Sequence, residues 1–104
     1  MAGHKFFFHG KDYPKSNLKN KPLQGAPNSF LDTYSVKSGR FVSRRKFGAD
    51  GLAYKDLDVA DNHRPYDHVH KIHGTKRSIN PDHPNKQERL EFKKAKKKRR
   101  FFDD

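Results

Sequence analysis

Between Asn28 and Val59 glycine-bearing turns punctuate the chain at nearly regular intervals, and this spacing limits the fold more than any other feature. Ser29 to Val36 carries Phe30, Leu31, Tyr34 and Val36, and Lys37-Ser38-Gly39-Arg40 follows as a turn. Phe41 to Phe47 comes next, then the turn Gly48-Ala49-Asp50-Gly51, then Leu52 to Val59. Aromatic and β-branched residues between such turns predict an antiparallel meander of three strands. Alternation assigns the faces, with Phe41, Ser43, Arg45 and Phe47 on one side and Val42, Arg44 and Lys46 on the other. In the third strand Tyr54, Asp56 and Asp58 share a face, opposite Ala53, Lys55, Leu57 and Val59.

The flanks differ in character. Residues 1–27 join the apolar knot Phe6-Phe7-Phe8 to a stretch rich in Lys, Asn, Gly and Pro, which reads as an irregular arm. Three consecutive Phe equally fit an edge strand, so both readings stand. The β-rich core runs over 28–80 and includes a histidine-rich segment, with His63, His68, His70 and His73 inside eleven positions. If His68 to His73 is extended, His68, His70 and Ile72 point one way and Val69 and His73 the other. Residues 81–104 begin at Asn80-Pro81-Asp82-His83-Pro84, where Asp82 or His83 can cap a helix that continues, free of Gly, to Phe102. Its apolar residues are Leu90, Phe92 and Ala95, then Phe101 and Phe102, too few to keep it folded unless docked. The expected fold is one small α+β domain: an antiparallel sheet with an N-terminal arm and a basic C-terminal helix.

A chain of 104 residues with 31% hydrophobic and 35% charged positions has a thin core that rests on nine Phe and four Tyr. Without Cys it has neither disulfides nor thiolate zinc sites, which leaves His, Asp and Glu as metal ligands. No stretch approaches the about 20 apolar residues of a membrane span, and no signal-peptide core follows Met1, so neither a membrane partner nor export by leader is expected. The net charge is +12, of which residues 93–104 supply +5, so the basic character is not confined to the tail. Such a chain is expected to meet polyanions, nucleic acid first among them.

Three chemical readings follow from the residues. Imidazoles, with an ordinary pKa near neutrality, suit acid–base catalysis of phosphodiester transfer. One takes the ribose 2′-hydroxyl proton, a second protonates the leaving 5′-oxygen, and Arg or Lys carries the phosphorane charge. Here the candidates are His68, His70 and His73, with Asp56, Asp58 and Arg45 in support, and no cofactor is required. Alternatively His68, His70 and His73 with Asp58 could ligate a divalent metal, although the spacing matches no diagnostic zinc signature. The third reading is a solvated or merely binding surface, in which Asp56 and Asp58 pair with Arg45 and other cations across the sheet. Phosphate contacts are expected from Arg44 and Lys46 and from Lys93, Lys94, Lys96, Lys97, Lys98, Arg99 and Arg100.

The series Pro27-Asn28-Ser29, Arg44-Arg45-Lys46-Phe47-Gly48-Ala49-Asp50-Gly51, Lys55-Asp56-Leu57-Asp58 and His68-x-His70-x2-His73 resembles C-terminal modules of bacterial polymorphic toxins. Similar modules follow MuF-type phage head proteins. The resemblance spans residues 27–73. It implies a compact α+β nuclease of the barnase, EndoU and RelE kind that cuts RNA without metal, RNA being favoured over DNA. By the same resemblance His68, His70 and His73 match the terminal His element, Asp56 and Asp58 the acidic strand, and Arg44 and Arg45 the basic pair. It implies action in a cytoplasm, the chain's own or that of a target cell into which a secreted effector delivers it, and an acidic immunity protein as a partner. In the toxin modules the His element lies at the C-terminus, whereas here Gly74 and a further basic helix follow. That difference keeps open a non-enzymatic nucleic-acid-binding or structural phage protein, and a metal-dependent nuclease.

Overall fold

The computed structural model describes residues 5–9 (as backbone), 22–35, 38–61 and 64–97. Among the described residues six strands, β1 (Lys5–His9), β2 (Phe30–Ser35), β3 (Phe41–Phe47), β4 (Ala53–Asp58), β5 (His68–His73) and β6 (Lys76–Arg77), precede one helix, α1 (Lys86–Lys96). The strands form an antiparallel sheet in chain order, so the α+β meander expected from the turn spacing is what the chain adopts. Of the two readings of the Phe knot, the edge strand holds, since β1 pairs with β2 from Lys5↔Ser35 to His9↔Leu31. No helix among the described residues is long and apolar enough to cross a membrane.

The turns work as their residues dictate. Between β3 and β4 Gly51 takes a φ of 76°, and a Cβ there would lie 2.7 Å from the Gly25 carbonyl oxygen. That close approach lets Gly25 N donate to Gly51 O at 2.9 Å and ties segment 22–28 to the sheet. A two-residue turn at Gly74-Thr75 reverses the chain into β6.

Each face of the sheet buries its own apolar cluster. On one, Tyr34, Phe41, Leu57 and Val69 pack under Phe92 and Ala95 of α1. On the other lie Leu31, Phe47, Ala53 and Ile72. Strict alternation would put Phe41 beside Phe47 and Ala53 beside Leu57, and the structure corrects both expectations. The β2–β3 register shifts between Thr33 and Tyr34, so Phe41 pairs with Tyr34 and joins the helix side. A second shift, between Lys46 and Phe47, pairs Phe47 with Ala53 and leaves Tyr54 exposed. Each bulge inserts one residue on one strand and so inverts the parity beyond it.

The helix starts later than Asp82 or His83. Asn85 is the cap: its side chain accepts from Glu88 N at 2.8 Å, while the Glu88 carboxylate accepts from Asn85 N at 2.9 Å. Asp82 instead extends the sheet, exchanging backbone hydrogen bonds with Val69. The sheet-facing stripe of α1 is Glu88, Glu91, Phe92 and Ala95, spaced as one helical face requires. Leu90 is 53% exposed and takes no part in it. Burying Phe92 contributes about 1.5–3 kcal/mol by transfer from water. Cations from the strands meet the two acids: Lys55 Nζ reaches Glu88 at 2.6 Å, and Lys46 Nζ and Arg44 Nη1 reach Glu91 at 3.1 and 3.2 Å. Most of the helix's lysines therefore point outward while its acids point in.

Candidate active site

On the sheet face opposite α1, two adjacent cross-strand rows carry polar side chains. Arg45 pairs with Asp56 and Asp56 with His70 in one row; Ser43 pairs with Asp58 and Asp58 with His68 in the next. The row facing the helix is Asp32, Arg44, Leu57 and Val69, as alternation demands. β5 behaves as its sequence predicts, with His68, His70 and Ile72 buried on the site side and Val69 buried under α1.

Arg45 and Asp56 form a buried two-pronged ion pair, Nε to Oδ1 and Nη2 to Oδ2 both at 2.8 Å, with Asp56 0% exposed. This is the cross-sheet pairing that the sequence offered beside a catalytic role. Arg45 Nη1 also donates to the Pro22 carbonyl at 3.2 Å. Arg77 lies above, with Nε 3.5 Å from Asp56 Oδ2 and Nη2 on Asp58 Oδ2. Its side chain is 42% exposed, so the cluster reaches solvent through it.

Both histidines are buried, and each is oriented by a backbone carbonyl: His68 Nδ1 lies 2.9 Å from Tyr66 O, and His70 Nδ1 2.8 Å from Ser78 O. A carbonyl oxygen can only accept, so each Nδ1 carries the proton and each neutral ring keeps its lone pair on Nε2. The two Nε2 atoms converge on Asp58 Oδ2, at 3.8 Å from His68 and 3.9 Å from His70. The rings stand edge to face with centroids 5.1 Å apart. Burial pushes the His70 pKa below its ordinary value; Arg77 and His68 add to this, and it outweighs the opposing Ser78 carbonyl and Asp58. Among the described residues Asp58, His68 and His70 form a group able to hold a metal ion, their ligating atoms all within 4.8 Å of one another.

Other residues expected at the site stand apart from it. His73, exposed at the end of β5, lines a separate groove of about 460 Å³ with Leu23, Tyr54 and Thr75. Arg44 and Lys46 lie on the helix-covered face. Arg44 makes a two-pronged pair with Asp32, at 2.7 and 3.0 Å, and reaches Glu91. Burial opposes its charge, but these acids outweigh that and hold its pKa above the ordinary value. Lys93 and Lys94 are exposed on α1 and Lys97 is exposed at its C-cap, while Lys96 pairs with Asp67. Lys98, Arg99, Arg100 and His63 lie outside the described residues. Sequence reasoning missed Arg77. The signal was the Gly74-Thr75 turn, which can return the chain along β5 and bring a cation beside the histidines.

Comparison with protein-family models, with curated proteins and with solved structures finds no match for the chain.

Proposed function

We propose that the protein is a metal-independent endoribonuclease in which His68 and His70 are the acid–base pair. The observation that carries this reading is the convergence of two Nε2 lone pairs at Asp58 Oδ2, with both Nδ1 hydrogens engaged by backbone carbonyls. Rings fixed in this way present their reactive nitrogens without tautomeric loss. In the proposed reaction one neutral imidazole removes the ribose 2′-hydroxyl proton as the 2′-oxygen attacks phosphorus. The other, protonated, gives its proton to the departing 5′-oxygen. The products are a 2′,3′-cyclic phosphate and a 5′-hydroxyl, and the requirement for a 2′-hydroxyl makes the substrate RNA. Arg77 is the cation that meets the phosphate charge, because Arg45 is committed to Asp56 beneath it. Asp58 balances the charge of whichever imidazole holds the extra proton.

Binding without cleavage is the second reading, favoured by the exposed Lys93, Lys94 and Lys97 on the far side of the sheet. Incubating purified protein with total RNA and with plasmid DNA in EDTA separates the two. RNA cut to cyclic-phosphate ends, with the cut lost in His68→Ala or His70→Ala, is expected. Intact RNA that shifts on a gel would leave only the binding reading. A charge-complementary inhibitor, an acidic protein, is the further partner this reading implies.

A further inference from the structure

We propose that Asp58, His68 and His70 also bind a divalent transition-metal ion of the zinc class, and that the ion silences cleavage by occupying both Nε2 atoms. The silencing half rests on the nuclease reading; the binding half stands on geometry alone. Tetrahedral zinc with ligands at about 2.0–2.1 Å places its donor atoms about 3.3 Å apart. Asp58 Oδ2 already lies 3.8 and 3.9 Å from the two Nε2 atoms, and all three ligating atoms lie within 4.8 Å of one another, so side-chain movements of about 1 Å or less reach the zinc spacing. Each imidazole donates its other nitrogen's hydrogen to a carbonyl, the arrangement that orients metal-bound histidines and raises their basicity. Asp58 Oδ1 is buried and has no hydrogen-bond partner among the described residues, which marks this carboxylate as incompletely satisfied. Two imidazole nitrogens with one carboxylate select zinc, nickel or cobalt over magnesium or calcium, which prefer all-oxygen shells.

Arg77 is the competing cation. Its guanidinium holds the same Asp58 oxygen the ion needs, yet its side chain is 42% exposed and can retreat to solvent. Arg45 neutralises Asp56, so an ion on Asp58 leaves one net positive charge, and the fourth position goes to water or an anion. An ion on both Nε2 lone pairs leaves neither imidazole able to take up or return a proton. Metal binding and metal-free catalysis therefore compete for the same atoms.

The test titrates zinc into tag-free, EDTA-stripped full-length protein by calorimetry, with cobalt absorption as a second readout that does not depend on activity. One equivalent of zinc and cobalt bands of a low-coordinate N/O site are expected. His70→Ala and Asp58→Asn should each weaken binding at least about 100-fold, an effect larger than the loss of an orienting partner alone, while His73→Ala leaves it unchanged. Arg77→Gln should tighten it, because the competitor is gone; circular dichroism checks that each variant folds. Absence of stoichiometric binding, or loss of it in His73→Ala with retention in His70→Ala, overturns the site. In the RNA assay zinc should stop cleavage and EDTA restore it. Zinc binding with cleavage that requires zinc overturns the silencing, and zinc binding with no cleavage in any condition upholds the site while removing the nuclease reading and the silencing with it.

Discussion

Replacing Asp56 by Ala is the sharpest probe of how the histidine face is held together. The carboxylate is 0% exposed and accepts both Arg45 Nε and Nη2 at 2.8 Å, and the Arg45 side chain is itself only 10% exposed. Removing the acid leaves a guanidinium buried without its counter-ion, a defect that costs about 3–5 kcal/mol. Small domains hold about 5–15 kcal/mol in total, so the loss takes about a fifth of the stability at the least and most of it at the other extreme. With a urea slope of about 2 kcal/mol/M the midpoint falls by about 2 M, measured by far-ultraviolet circular dichroism. Arg45→Met combined with Asp56→Leu removes both charges and should recover most of the loss, because isolated burial of the Arg45 charge, not absence of the pair, is the expensive state. A drop below about 1 kcal/mol in Asp56→Ala, or a double variant no better than the single, would refute the reasoning.

Other outcomes follow from the helix, the turn and the surface lysines. The Glu88 carboxyl sits below its ordinary value of 4.5: burial pushes it up, but the Asn85 N–H, Lys55 and Lys46 outweigh that. Its contribution is therefore present above about pH 4.5 and lost as pH falls through the lower folded value; Glu88→Gln should cost about 1–2 kcal/mol at pH 7 and flatten the acid limb of an unfolding-against-pH series. Phe92→Ala should cost about 3–5 kcal/mol by thermal or urea unfolding, whereas Leu90→Ala stays within about 0.5. Gly51→Ala forces a Cβ against the Gly25 carbonyl at a positive φ and should lose about 1–3 kcal/mol. Converting Lys93, Lys94 and Lys97 to Gln should weaken RNA binding and lower its logarithmic salt slope by about 0.7 for every phosphate no longer neutralised, read by filter binding over a salt series. Truncation at Lys93 is a poor substitute, because it also removes the buried Ala95.

The meander and the facing of β5 are legible in the sequence because turn glycines and alternation act locally. β3 spans Phe41–Phe47 as the turns demand, and His68 and His70 share a face because they stand two positions apart on one strand. Phe41 and Ala53 depart from simple alternation because a bulge is chosen by packing on both faces at once, which a single strand's pattern does not record. Asn85 caps the helix in place of Asp82, whose backbone finds Val69 in the sheet instead. Leu90 reads as core because it is apolar, yet the stripe that packs is set by Glu88 and Glu91 meeting Lys55, Lys46 and Arg44. In a chain this basic, a buried acid tells more about the docking face of a helix than an apolar residue does. Arg77 enters the site through tertiary reach across β5, which spacing does not encode.

The chain-order sheet also dictates a sequence of assembly. Five residues separate β2 from β3 and five separate β3 from β4, whereas twenty lie between β1 and β2. Closing the longer connection costs about 1.2 kcal/mol more in chain entropy than closing one of five residues. Short-range pairings form on the microsecond scale and carry the rate, so β2 to β5 can zip as successive hairpins before β1 arrives. β1 is thus among the last of these strands to dock, and substitutions in it should accelerate unfolding while leaving the rate of folding nearly unchanged.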